Sequence, residues 1–148
     1  DVDYFEVKNS FIGRNYVGDD AMHIAYSRGI VDNNIFKDAR SDGLDIDISD
    51  VTVTNNVFYK SGNDGLDIMT TKMVASNNLF IDTGDKGISV GEWSQADISD
   101  SYFSNNEIGL EIKDKSNVVA KNLFFNNAKE KAMDLQAIIK GPNAWHVK

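Results

Sequence analysis

The chain has 148 residues, enough for one domain that buries roughly two-thirds of its unfolded surface. Its 23 acidic residues against 15 basic ones leave a net charge of −8, which argues against nucleic acid or an anionic membrane surface as the main partner. There is no cysteine to form a disulfide, a single proline (Pro142), and no apolar run long enough for membrane insertion.

Residues 1–19 read as an incomplete first coil, in which Asn9-Ser10-Phe11 is an imperfect copy of a later block and lies 25 residues before Asn34-Ile35-Phe36, so that a bulge is expected over Gly13 to Asp19. A regular pattern then begins. Asp20-Ala21-Met22-His23-Ile24 is followed at 22-residue steps by Asp42-Gly43-Leu44-Asp45-Ile46, Asp64-Gly65-Leu66-Asp67-Ile68, Lys86-Gly87-Ile88-Ser89-Val90 and Ile108-Gly109-Leu110-Glu111-Ile112, and after 23 residues by Lys131-Ala132-Met133-Asp134-Leu135. A fixed period of this length is the mark of a stacked repeat. Within each copy apolar residues alternate with others, the period of a strand with one buried face. A second block follows in each period: Asn33-Asn34-Ile35-Phe36, Asn55-Asn56-Val57-Phe58, Asn77-Asn78-Leu79-Phe80 and Lys121-Asn122-Leu123-Phe124. Short β-rich pieces such as Val51-Thr52-Val53-Thr54 lie between the blocks. The fifth coil departs from the pattern. Asp100-Ser101-Tyr102-Phe103 replaces the Asn pair, the turn from Gly91 to Gln95 is one residue longer, and the next turn is one shorter. Residues 136–148 fade into a tail, in which Ile138, Ile139 and Trp145 are available to cover the C-terminal edge.

Three short strands per period, separated by turns rich in Gly, Asn, Asp and Ser, predict an all-β chain: a single-stranded parallel β-helix of about six coils of roughly 22 residues, with equivalent residues stacked roughly 4.8 Å apart. The near absence of proline suits the backbone donors that such ladders need. The column Phe36, Phe58, Phe80, then Tyr102 or Phe103, then Phe124 is expected in the core, and the column Asn34, Asn56, Asn78, Asn122 as a turn ladder of side-chain amides.

Through these Gly-Leu/Ile-x-Ile/Val and Asn-Asn-x-Phe blocks, nearly the whole chain resembles the right-handed parallel β-helix (pectate-lyase-like) superfamily, which includes polysaccharide lyases, polygalacturonases and uronate epimerases. The segments Asn63 to Asp67, Gly84 to Glu92 and Lys113 to Ser116 are also similar to β-helix regions of bacterial surface or envelope proteins, some of them joined to kinase-like domains of the spore-coat type. The resemblance implies a secreted or cell-surface domain and a polysaccharide partner.

If Leu44 and Ile46 point inward, the outward column reads His23, Asp45, Asp67, Ser89, Glu111, Asp134, with Asp20, Asp42, Asp64, Lys86, Ile108, Lys131 three residues before its members. Stacked carboxylates repel, at a cost on the order of 1–3 kcal/mol for Asp45 beside Asp67, so something must compensate. Three compensations stay open. The carboxylates are turn formers and solvated; or Asp42, Asp45 and Asp47 hold a cation, Ca²⁺ being the one that favours clustered oxygens; or they are catalytic, since carboxylates about 5 Å apart suit a retaining glycosidase. The candidate catalytic residues are Asp64, Asp67 and Lys86, with Lys86 either the base that takes a proton α to a uronate carboxyl or a counter-charge to its acidic neighbours. His23, Ser89, Glu92, Trp93, Glu111 and Lys113 are the candidate substrate-binding residues, Trp93 as a stacking platform. With only His23 and His146 and no cysteine, a His-based zinc site is not expected.

Two functional classes follow. One is an extracellular domain that interacts with polysaccharide, as a lyase or hydrolase of acidic glycans. The other is a non-catalytic spacer, surface-display or binding module about 30 Å long. No signal-peptide pattern precedes the repeats and no cap is evident at the N-terminal edge, so either a longer parent chain or end-to-end association is expected.

Overall fold

In the computed structural model, which describes residues 2–136, the chain winds as a parallel β-solenoid with no helix among the described residues. The first turn contributes β1 (Tyr4–Lys8), β2 (Phe11–Gly13) and β3 (His23–Ala25); the second β4 (Arg28–Asp32), β5 (Ile35–Lys37) and β6 (Leu44–Asp47). The third contributes β7 (Asp50–Thr54), β8 (Val57–Tyr59) and β9 (Leu66–Met69); the fourth β10 (Lys72–Ser76), β11 (Leu79–Ile81) and β12 (Lys86–Gly91). The last two contribute β13 (Gln95–Ser99), β14 (Tyr102–Ser104) and β15 (Ile108–Ile112), then β16 (Asn117–Lys121), β17 (Phe124–Asn126) and β18 (Lys131–Leu135). Every third strand pairs in parallel, giving three six-stranded sheets: a first sheet from β1 to β16, a second from β2 to β17 and a third from β3 to β18.

Three bends close each coil, and each bend carries a residue in the left-handed region, with a second in the Glu92-Trp93 and Asp114-Lys115 bends. The columns are Asn9, Asn33, Asn55, Asn77, Asp100, Asn122; Arg14, Asp38, Lys60, Asp82, Asn105, Asn127; and Tyr26, Ile48, Thr70, Glu92, Asp114. Asn and Asp dominate the first because their short polar side chains tolerate this conformation; β-branched Ile48 (φ 47°) and Thr70 (φ 50°) do not. Just inside two of the bends, polar side chains take up backbone donors that the turns would otherwise bury unpaired. The Asn34 N–H donates to Asn56 Oδ1 and the Asn56 N–H to Asn78 Oδ1 (both 2.9 Å), while the Asn78 N–H donates to Ser101 Oγ. A hydroxyl ladder, Ser27, Ser49, Thr71, Ser94, Ser116, does the same work at the third bend.

Between these ladders lies the apolar core, with Leu44, Ile46, Leu66, Ile68, Ile88, Val90 and Leu110 fully shielded. Its spine is a stack of phenylalanines, Phe36, Phe58, Phe80, Phe103 and Phe125, with centroids 4.7–4.9 Å apart. The stack explains the repeated glycine. A Cβ on Gly87 would lie 2.5 Å from Phe103 Cδ1 and 2.6 Å from the Gly109 carbonyl oxygen.

The register corrects three expectations. Phe125, not Phe124, continues the stack, and Phe124 is 65 % exposed. Asn122 lies beneath Asp100, to which its amide donates, so it extends the Asn33 column rather than the Asn34 ladder. Phe11 pairs with Ile35, a 24-residue step, which puts Ile12 rather than Phe11 beneath Phe36. The cause of the first two is that the Asn34 ladder passes to Ser101 and then to Leu123, which has no amide. A further consequence is an apolar outer column on the second sheet, Phe11, Ile35, Val57, Leu79, Tyr102 and Phe124. The tail residues Ile138, Ile139 and Trp145 lie outside the described residues.

Candidate functional site

The third sheet gathers the charged residues singled out above. Its outward column is His23, Asp45, Asp67, Ser89, Glu111, Asp134 in continuous register. A second outward column runs through Ala25, Asp47, Met69 and Gly91, with Lys113 beyond. The alternation that buries Leu44 and Ile46 leaves Asp45 and Asp47 half-exposed on the other face of β6.

Along the edge of the sheet Asp20, Asp42 and Asp64, at equivalent positions of successive coils, turn towards the backbone of the next coil. Asp20 Oδ1 accepts the Asp42 N–H (3.1 Å), Asp42 Oδ1 accepts the Asp64 N–H (2.8 Å), and Asp64 Oδ1 accepts the Lys86 N–H (2.8 Å). Asp42 also accepts from Asn63 Nδ2. This carboxylate ladder leaves Asp64 only 3 % exposed. Burial pushes its carboxyl up to about 7 against the opposing pull of the Lys86 N–H and ammonium. Burial likewise raises Asp42 and Asp67. Asp45 rises to about 7, first through burial, then through the neighbouring Asp47 charge.

Lys86 sits in the middle of this acidity. Its ammonium bonds Asp85 and lies 3.8 Å from both Asp64 Oδ1 and Glu111 Oε2. Burial works against the charge, but the Asp85 hydrogen bond and the surrounding carboxylates outweigh it and hold Lys86 above its ordinary value. An ammonium held this way stays protonated at neutral pH, which suits a counter-charge better than a base; the groups brought towards neutrality are the carboxylates. Glu111, 5 % exposed, accepts from Lys113 Nζ and from Gln136 Nε2, each at 2.9 Å. Between Asp67 and Glu111 the Ser89 hydroxyl is fully buried beside the Asp67 carboxylate, whose charged form it favours, without a well-aligned hydrogen bond. Glu92 occupies the following bend, and Trp93 is the extra residue there, 64 % exposed, with the Lys115 ammonium 4.1 Å above its ring.

Asp64, Asp67, Lys86, Ser89, Glu111 and Lys113 therefore form one cluster on the C-terminal half of the sheet, with Glu92 and Trp93 at its rim. His23, Asp45 and Asp47 form a second group at the N-terminal end, in which His23 Nε2 lies 3.2 Å from Asp47 Oδ2 and 3.7 Å from Asp45 Oδ2. Asp42 is engaged in the carboxylate ladder rather than gathered with Asp45 and Asp47. The sequence reading missed Lys115 as a cation over Trp93 and Asn63 as a donor to Asp42; nothing in the repeat marks either, since both sit in turns. A concavity lies elsewhere, over β10, β13 and β16, lined by Lys72, Val74, Gln95, Asp97, Asn117 and Val119; it carries no comparable chemistry.

A parallel β-solenoid with three strands per coil and one charged outer face defines the class. The chain belongs to the right handed beta helix region family, whose model matches residues 1–143. No curated protein and no solved structure gives a significant match.

Proposed function

We propose that the domain is a secreted or cell-surface polysaccharide-binding β-helix that lays an acidic glycan along the C-terminal half of the third sheet. One observation carries this reading: the Lys86 and Lys113 ammoniums gather beside the Glu111 carboxylate, in the same outward column as the Asp67 carboxylate. The chain as a whole is acidic, but Lys86, Lys113 and Lys115 fall at this one place. They can pair with uronate carboxylates, while Asp67 exchanges hydrogen bonds with sugar hydroxyls and Trp93 offers a ring face. If the bound glycan is also cleaved, the elimination reading assigns proton removal α to the carboxyl to Asp67, whose carboxyl burial raises, and charge neutralisation to the two lysines.

The test is a panel of acidic and neutral polysaccharides, with binding measured by calorimetry and polymer molar mass measured before and after incubation, with calcium and with chelator. Binding of an acidic polymer that weakens at least about tenfold in Lys113→Ala supports the reading, tenfold being the loss of one charge-assisted contact. A fall in molar mass that Asp67→Asn abolishes adds catalysis to it. Absence of binding to every polymer overturns it in favour of a spacer module, for which the uninterrupted ladders speak.

A further inference from the structure

We propose that His23, Asp45 and Asp47 form a binding site for a divalent transition-metal ion of the zinc class at the N-terminal end of the third sheet. The three ligand atoms, one imidazole nitrogen and two carboxylate oxygens, lie within 4.8 Å of one another. Metal–nitrogen and metal–oxygen bonds of about 2.1 Å in a tetrahedral arrangement place ligand atoms roughly 3.4 Å apart. The separations of His23 Nε2 from Asp47 Oδ2 (3.2 Å) and Asp45 Oδ2 (3.7 Å) bracket that distance. The two carboxylate oxygens, within 4.8 Å of each other, close on a shared ion by side-chain rotation, because Asp45 and Asp47 leave the same face of β6 two residues apart and His23 is the direct register partner of Asp45 on β3.

Charge balance points the same way. At the other end of the sheet the carboxylates have lysines: Lys86 for Asp64 and Asp85, Lys113 for Glu111. Here, among the described residues, two carboxylates share one imidazole, and no lysine or arginine pairs with either. The imidazole is the one basic side chain beside Asp45 and Asp47 among the described residues, and Asp67 follows next in the column. The neighbours Ala25 and Met69, which flank Asp47 in its own column, contribute no charge. A divalent ion neutralises the pair.

The donor set also selects the ion. Calcium takes six to eight oxygens, whereas this group offers two carboxylates and a nitrogen, a set that suits borderline ions, with positions left over for water or a ligand hydroxyl. One histidine therefore suffices for a zinc-class site when a β-strand supplies two carboxylates beside it. The site stands apart from the glycan cluster, and its test is independent of any glycan.

The chain, stripped of metal with chelator, is titrated calorimetrically with Zn²⁺ and, separately, with Ca²⁺; Co²⁺ serves as a spectroscopic probe through its visible absorption. The expected result is one Zn²⁺ per chain, Ca²⁺ bound at least about a hundredfold more weakly, and a loss of at least about tenfold in His23→Ala and in Asp47→Asn, the scale on which single ligand contacts tune metal affinity. His23 is exposed, so its alanine variant keeps the fold, which circular dichroism verifies. His146→Ala should bind as the unaltered chain does. Zn²⁺ binding that survives His23→Ala, that is lost in His146→Ala, or that Ca²⁺ matches, would overturn the assignment.

Discussion

Replacing Asp64 by Asn should stabilise the protein above neutral pH. The Asp64 carboxyl is buried and titrates at about 7, against 3.8 for a solvated aspartate. A folded-state value above the unfolded one means that the group contributes stability below about pH 4 and loses it as pH rises through about 7. Fully ionised, it takes up to about 4 kcal/mol from the folded state, with the pull of the Lys86 ammonium at 3.8 Å already included; relaxation around the buried charge reduces the usable gain to about 1–2 kcal/mol. Asn keeps the Oδ1 that accepts the Lys86 N–H at 2.8 Å, so the ladder survives the change. Urea and thermal unfolding at pH 4, 6 and 8 would follow it. The Asn variant should match the parent near pH 4 and exceed it by about 1–2 kcal/mol at pH 8, or about 2–8 °C in Tm for a domain of this size. A variant that is less stable at pH 8, or whose difference from the parent does not change with pH, would show that the Asp64 charge is not a cost to the fold.

Two further substitutions test the architecture. In the Leu79-Phe80 pair, Phe80→Ala should cost about 3–5 kcal/mol by opening the aromatic stack, while Leu79→Ala, on the apolar outer column, should cost less than about 1 kcal/mol; equal costs in urea unfolding would contradict the inward and outward assignment. Ile48→Asn should stabilise by about 1 kcal/mol, because Ile48 holds a left-handed bend with an exposed β-branched side chain where Asn is tolerated; a loss of stability would mean that the outer contacts of Ile48 outweigh its backbone strain.

Much of this protein was legible in the chain itself. The 22-residue period survives because every coil must repeat the same three bends and stack the same side chains. Gly65 and Gly87 recur because a Cβ there would meet the Phe80 and Phe103 rings. The outward column from His23 to Asp134 was legible for a similar reason: a strand's two-residue alternation assigns faces without any knowledge of the neighbours. Other features needed the tertiary structure. Trp93 adds a residue to one bend and the turn between Asn106 and Ile108 drops one, so the two offsets cancel and conceal which of Tyr102 and Phe103, or of Phe124 and Phe125, faces inward. Whether an outward carboxylate is solvated or buried was equally beyond the pattern. The repeat places Asp45 and Asp64 in different columns but not their side chains: Asp64 turns in to cap the next coil's N–H while Asp45 stays out beside His23 and Asp47. The lysine network around Glu111, the buried Ser89 hydroxyl and the His23 group all depend on diagonal contacts between neighbouring coils. The repeat determines which residues share a face; side-chain reach across the 4.8 Å step between coils determines which of them meet.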